Sequence, residues 1–341
     1  MTNKRGAPTL SDVAARAGVS TATVSRCLNS PGSVSGPTRT RVMQAVDDLD
    51  YTPNFGARMM ASRRTRTIGA IVPTMDDAAY ACGLHTFQVD LQNAGYALLL
   101  ASTGYDPSAE MEQAHALLAR GAEAILLVGH RHDAALYDYL HRQAVPVLAA
   151  WSLDATLPCP SVGVDNRAAM QALATEVIAI GHRQIATISG PPAQNDHTRE
   201  CIEGIHAAMF IAGLDPAMLR VIETPYSIGT GAAAFEALMQ EWPTPTAVLC
   251  SNDVLAAGAL GCARAMGIDV PGRVSITGFG DIDLAQTTFP ALTTVHIPHR
   301  EIGRAAATAL LQMVDEGDID KTIALPTSLR WRATVGPPPM W

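Results

Sequence analysis

The stretch Leu10-Ser-Asp-Val-Ala-Ala-Arg-Ala-Gly-Val-Ser-Thr-Ala-Thr-Val-Ser-Arg-Cys-Leu-Asn29 reads as two short helices joined by a three-residue turn. Leu10, Val13, Ala14 and Ala17 recur at helical spacing. Thr9 is placed to cap the first helix, and Asp12 suits the positive end of its dipole. Gly18-Val19-Ser20 then interrupts the pattern: Gly18 can take the left-handed geometry of a tight exit, and Ser20 can cap a second helix from Thr21 to about Leu28. In that helix Val24 and Leu28 face inward, while Ala22, Ser25, Arg26 and Asn29 share the other side. A third helix is expected from near Ser35, running from Thr38 to Leu49 with Val42, Ala45, Val46 and Leu49 as its buried stripe. Short helices in this order form the helix-turn-helix pattern, whose second helix fits a DNA major groove; spacing alone also allows a purely structural three-helix bundle.

Charge distinguishes the two readings. The 341-residue chain carries a net charge of −8, which taken whole argues against a nucleic-acid partner. Residues 1–66, however, hold ten Lys/Arg against four Asp/Glu, net +6, and the remainder holds 14 against 28, net −14. A basic head on an acidic body is the distribution expected when only the head meets phosphate.

The quoted stretch, together with Val34-Ser35 and Tyr51-Thr-Pro-Asn54, resembles the head of the LacI/GalR repressor family. The resemblance implies that Thr21, Ala22 and Arg26 read base edges, with Arg26 able to grip a guanine in bidentate fashion. It implies that Thr9, Ser20, Thr23, Ser25 and Asn29 position phosphates. It also implies a hinge over residues 53–66, in which Asn54 caps a short helix and Met60 stands where the family places a minor-groove wedge. Gly56 within that helix costs about 1 kcal/mol relative to Ala, which biases the free hinge toward disorder. An ordinary linker is the plainer alternative.

Beyond residue 66, apolar runs alternate with helical patterns. Strands are expected at 68–72, 97–101, 124–128, 147–150, 162–164, 184–188, 247–250 and 274–278, and helices at 110–119, 168–180, 201–212, 231–240 and 254–266. This alternation predicts an α/β body of two doubly wound parallel-sheet halves with a ligand cleft at the strand ends. Ile188-Ser-Gly-Pro191, residues 247–253, Gly267-Ile-Asp-Val-Pro271, residues 274–279 and 290–295 again resemble the LacI/GalR family, which implies a periplasmic-binding-protein-like sensor. The expected organisation is an all-α head at 1–52, a hinge and linker at 53–66, and a body at 67–341. Within the body one half comprises about 67–162 with 293–321, and the other 163–292 with 322–341.

Strand ends nominate Met75, Asp76, Tyr80, His130, Arg131, Trp151, Arg199, Asn252, Phe279 and Gly280 as ligand contacts. Asp253 reads as a helix cap, His132 and Asp76 as solvated loop residues, and Trp151 as a stacking face without a buried partner. Many members of the family carry an Asp where this chain has Gly280, and the usual Arg before Gly204 is matched by Cys201, with Arg199 as a stand-in. Loss of a carboxylate beside Arg131, Arg199 and His130 favours an anionic ligand. With residues 104–113, Trp151 and Phe279-Gly-Asp281, this resembles the gluconate-repressor branch and implies a sugar-acid effector. A neutral sugar or a purine-like ligand is the alternative effector, and a non-regulatory sugar-binding protein the alternative function.

Other classes find little support. There is no nucleophile elbow or phosphate loop, so no enzyme is expected, and no cofactor or metal. Gly229-Thr-Gly231 mimics a dinucleotide fingerprint only weakly and reads as a turn before a helix. Six scattered cysteines read as reduced thiols. No secretory signal or long apolar run is present, so a cytoplasmic protein is expected, without a membrane partner. The tail after Trp331 has no heptads, which predicts a homodimer as the form that binds an operator duplex.

Overall fold

The computed structural model describes residues 7–52 and 64–339, apart from 155, 157, 194, 242 and 318–321, and does not describe the side chains of Asn29 and Pro31. The chain divides into two compact units, residues 1–65 and 66–341.

The first unit is helical: α1 (Leu10–Ala17), α2 (Thr21–Asn29) and α3 (Gly36–Asp48), with a short 3-10 turn at Pro31–Ser33. A complete capping box starts α1. The Thr9 side chain accepts from the Asp12 N–H, and the Asp12 carboxylate accepts from the Thr9 N–H at 2.7 Å. Gly18 ends α1 at φ 64°, the left-handed exit expected of it. Val13, Ala14, Ala17, Val24, Cys27, Val42, Ala45 and Tyr51 form the core. Cys27 joins Val24 on the inner face of α2, where Leu28 is only half-buried. Arg16 ties α1 to α3 through Asp48 at 2.7 Å.

The second unit holds β1 (Thr67–Val72), α4 (Ala78–Asn93), β2 (Ala97–Ser102), α5 (Ser108–Ala119), β3 (Ala124–Val128), α6 (Ala134–Arg142), β4 (Val147–Ala150) and β5 (Ser161–Gly163). There follow α7 (Asn166–Ala179), β6 (Ile185–Ser189), α8 (Asp196–Ile211), β7 (Arg220–Glu223), α9 (Ile228–Gln240), β8 (Ala247–Cys250), α10 (Asp253–Ala265) and β9 (Ser275–Thr277). The last elements are α11 (Asp283–Thr287), β10 (Thr294–His296), α12 (His299–Glu316), β11 (Ile323–Ala324) and β12 (Ser328–Arg330). Strands β11-β5-β4-β3-β1-β2 form one sheet and β7-β6-β8-β9 a second, all their neighbours parallel; β10 and β12 make a small antiparallel pair. Strands β1, β3 and β4 are buried along their whole length, as parallel strands covered on both faces must be, and that is why they stand out as unbroken apolar runs.

Backbone pairing moves the chain's crossings between the halves. His296 still bridges Gly280, beside β9, so the return to the first half falls near α12 rather than at 293. Strand β11 pairs with β5 in the first sheet, so the last crossing falls after Ala324 rather than at 322. Gly229 and Gly231 lie inside α9, not in a turn. A Cβ on Gly231 would sit 2.5 Å from the Leu255 carbonyl, so this glycine lets α9 and α10 pack closely.

Candidate functional site

Two surfaces concern function, one in each unit. In the first, Ser20 caps α2 by accepting from the Thr23 N–H at 3.2 Å, and its hydroxyl lies 2.9 Å from that of Thr23. Burial of Val24 and Cys27 turns Thr21, Ala22 and Arg26 outward, so these three share an exposed strip with Ser25 half-buried beside them. The Arg26 guanidinium makes a long bond of 3.4 Å to the Ala22 carbonyl and is exposed. The Thr9 side chain is engaged in the α1 cap. Asn29 ends α2, its side chain outside the described set; Asn54, Gly56 and Met60 lie outside the described residues altogether.

In the second unit, a cleft of about 680 Å³, part of it open to solvent, lies between the carboxyl ends of the two parallel sheets. Five of the sequence candidates line it: Tyr80, Trp151, Asn252, Phe279 and Gly280. Trp151, at φ 69° and only 6% exposed, does have partners: Tyr80 meets it edge-on at 5.7 Å, and its indole N–H donates to His299 Nδ1 at 3.3 Å. Asn252, not Asp253, caps α10, accepting from the Leu255 N–H at 2.9 Å. Asp253 is the first residue of the helix and is buried. It accepts from the Thr294 hydroxyl at 2.6 Å and the Ile282 N–H at 2.8 Å, and burial raises its carboxyl to about 6 despite these bonds.

The other candidates lie elsewhere. Met75 and Asp76 are exposed in the loop after β1, and the next residue, Asp77, reaches the cleft. Arg131 lines a neighbouring recess and donates to the Ala193 carbonyl at 3.2 Å. Arg199 faces His130 Nε2 at 3.3 Å and Glu203 at 3.8 Å. Cys201 is buried at 1% exposure, with its sulfur 3.8 Å from the His197 ring. His132 is not solvated: its side chain is 4% exposed and bonds Glu110 at 2.9 Å.

His130 sits behind the cleft wall in a network joining the two halves. Its Nδ1 lies 2.7 Å from Ser152 Oγ and 3.2 Å from Asp196, and Ser152 in turn donates to Glu200 at 3.3 Å. Gly129, at φ 92°, makes this possible; a Cβ there would lie 2.7 Å from the Asp196 carboxylate. Burial alone would raise Asp196, but the adjoining His130 and the backbone N–H groups of His130 and His197 hold it below the usual carboxylate range. Glu200, bonded by Asn166 Nδ2 at 2.9 Å, is pushed up to about 7 by burial, with Asp196 adding to the effect.

The sequence reading missed Asp77, Tyr105, Ser152, Asn166, Asn195, Asp196, His197, Tyr226 and His299, all of which line the cleft. Ser152 carried a local signal, its position just after β4, and Asp77 and Asn195 stand as caps at helix starts. Among the described residues lining the cleft are three aspartates, five aromatic side chains other than histidine, and no Lys or Arg. Arg131 and Arg199, on which the sequence based an anionic ligand, are not among these lining residues. The arrangement offers aromatic faces, hydroxyls and acceptors, which suit a hydroxyl-bearing ring.

Residues 9–54 match the family model for bacterial regulatory proteins of the lacI family, and residues 174–335 match that for a periplasmic binding protein-like domain. The chain is 31% identical to the HTH-type transcriptional regulator GntR of Escherichia coli (strain K12), covering 91% of this chain and 93% of the relative. It is 33% identical to the HTH-type transcriptional repressor CytR of the same strain, covering 90% of each. Among solved structures it is similar to a LacI-family transcriptional regulator from Silicibacter pomeroyi, with a TM-score of 0.87 and 27% identity over 96% of this chain and 99% of that one. It is also similar to the lac repressor dimer bound to operator and the anti-inducer ONPF, with a TM-score of 0.85 and 26% identity over 96% and 99%.

Proposed function

Because the chain belongs to the LacI family of DNA-binding transcriptional regulators, we propose that it acts as a homodimeric repressor whose grip on a palindromic operator is set by a neutral, hydroxyl-bearing effector in the cleft of its second unit. The observation that carries the effector assignment is the lining: Tyr80, Tyr105, Trp151, Tyr226 and Phe279 with Asp77, Asp196 and Asp253, and no Lys or Arg among the described lining residues. A carboxylate entering there would meet like charges, whereas a hydroxyl both donates to the aspartates and accepts from their neighbours.

The sugar-acid effector favoured by the sequence is the second reading. Its support is the exposed Arg131, in the recess that shares Tyr80, Tyr105 and Asp196 with the cleft. On the DNA side, Thr21, Ala22 and Arg26 read base edges, while Ser20, Thr23 and Ser25 seat the helix on phosphates, with Thr9 holding α1 in place. Effector and operator are linked through the protein, so each alters the other's affinity by the same factor.

Footprinting on genomic DNA identifies the operator, and fluorescence anisotropy at fixed salt then reads its affinity with and without candidate effectors. Calorimetry with glucose, adenosine and gluconate separates the effector classes: gluconate binding tightly while the neutral compounds do not bind would overturn the neutral-ligand reading.

A further inference from the structure

Gly280 stands in the cleft at φ 126°, a conformation that side-chain-bearing residues rarely adopt. The space that a Cβ would occupy lies 3.5 Å from Asp253 Oδ2 and 3.8 Å from His299 Nε2, so a ligand group entering it comes up against both. The two groups differ in hydrogen-bonding sense. The Trp151 indole is a donor only, and it donates to His299 Nδ1, so Nδ1 carries a lone pair and the ring proton lies on Nε2. The Gly280 backbone near the ring favours its protonated form, yet the buried Nε2 makes no hydrogen bond of normal geometry to the described protein. A buried donor left unsatisfied is costly, and this one borders the cleft. Asp253 Oδ2, which already accepts from the Ile282 N–H, keeps lone-pair capacity and borders the same space.

We propose that the space over Gly280 is a donor–acceptor subsite in which His299 Nε2–H and Asp253 Oδ2 together hold a hydroxyl or an amide-type edge of the effector and reject a carboxylate. This rests on the cleft being the effector site and specifies which chemistry one end of it selects. A hydroxyl accepts from His299 and donates to Asp253 at once, and an amide does so with its C=O and N–H. A carboxylate satisfies His299 only by facing the Asp253 carboxylate.

The test uses the full chain labelled with 15N-histidine and 15N-tryptophan, with the His299 signals assigned by their loss in His299→Gln. The expected spectrum has His299 protonated at Nε2 and bare at Nδ1. Glycerol and formamide should shift the Nε2 signal saturably, at concentrations at least tenfold below any at which acetate acts. Trp151→Phe should mix the two tautomers and weaken both neutral probes, which loss of packing alone would not do to the tautomer ratio. An Nδ1-protonated ring, an acetate response at concentrations matching the neutral probes, or no response to either neutral probe would overturn the subsite. A compound that releases operator and moves the Trp151 indole signal but not His299 also overturns the subsite and leaves the cleft reading standing. One that releases operator and moves neither signal overturns the cleft reading itself.

Discussion

Glu200→Gln isolates the electrostatic cost of the network that joins the two halves of the sensor. Glu200, on α8, accepts from Asn166 and Ser152, and its side chain is 15% exposed. Burial and neighbouring Asp196 raise its carboxyl from 4.5 to about 7. A carboxyl raised in the folded state contributes fully only below its unfolded value; that contribution is lost as pH rises from about 4.5 through 7 and is gone by about pH 8. At about 1.4 kcal/mol per pH unit, the separation of the two values sets a ceiling of roughly 3.5 kcal/mol, and relaxation around the ionised group reduces this to about 1–3 kcal/mol. Glutamine keeps a carbonyl acceptor for Asn166 and cannot ionise. Urea denaturation of wild type and variant at pH 5, 6, 7 and 8 should show the variant gaining on wild type by that amount between pH 5 and 8, with most of the change between pH 5 and 7. A difference that stays flat with pH, or a variant that loses ground as pH rises, would refute the assignment of an ionisation cost to Glu200.

Other perturbations probe separate parts of the molecule. Arg26→Ala should weaken operator binding by about 1–3 kcal/mol while leaving non-specific binding nearly unchanged, as read by anisotropy on both duplexes. Thr9→Ala removes the α1 capping box and should cost the first unit about 1 kcal/mol in thermal unfolding followed by circular dichroism. Gly303→Ala places a Cβ 2.0 Å from the Gly83 carbonyl, between α4 and α12, and should destabilise the second unit by about 1–3 kcal/mol or more in urea. His299, lowered by burial to about 4, makes the folded state resist protonation, so stability falls as pH drops from about 6.5 through 4. His299→Phe should remove that part of the acid sensitivity, measured as the difference in denaturation midpoint between pH 7.5 and 4.5.

Where a signal was local, the sequence carried it. Thr9, Asp12, Gly18 and Ser20 act through partners within a few residues, so the caps and turn of the head were legible, and the +6/−14 charge split marked which unit meets DNA. Strands β1, β3, β4 and β8 were legible because complete burial leaves unbroken apolar runs. Edge strand β7 was not, because its half-exposed Arg-Val-Ile-Glu carries no such run. Helix α12 was also missed, since its buried face is built largely from Gly303, Ala306, Ala307 and Ala309, small residues that signal close packing more than hydrophobicity.

The cleft was decided by tertiary structure. Trp151 and His299 lie 148 positions apart, and their hydrogen bond fixes a tautomer that neither residue implies alone. Arg131 and Arg199 follow strand ends, as ligand contacts should, yet one bonds the Ala193 carbonyl and the other faces His130 and Glu203. A strand end specifies which rim of a sheet a residue occupies. Which way its side chain turns, and what charge it meets there, depends on the opposite half of the fold.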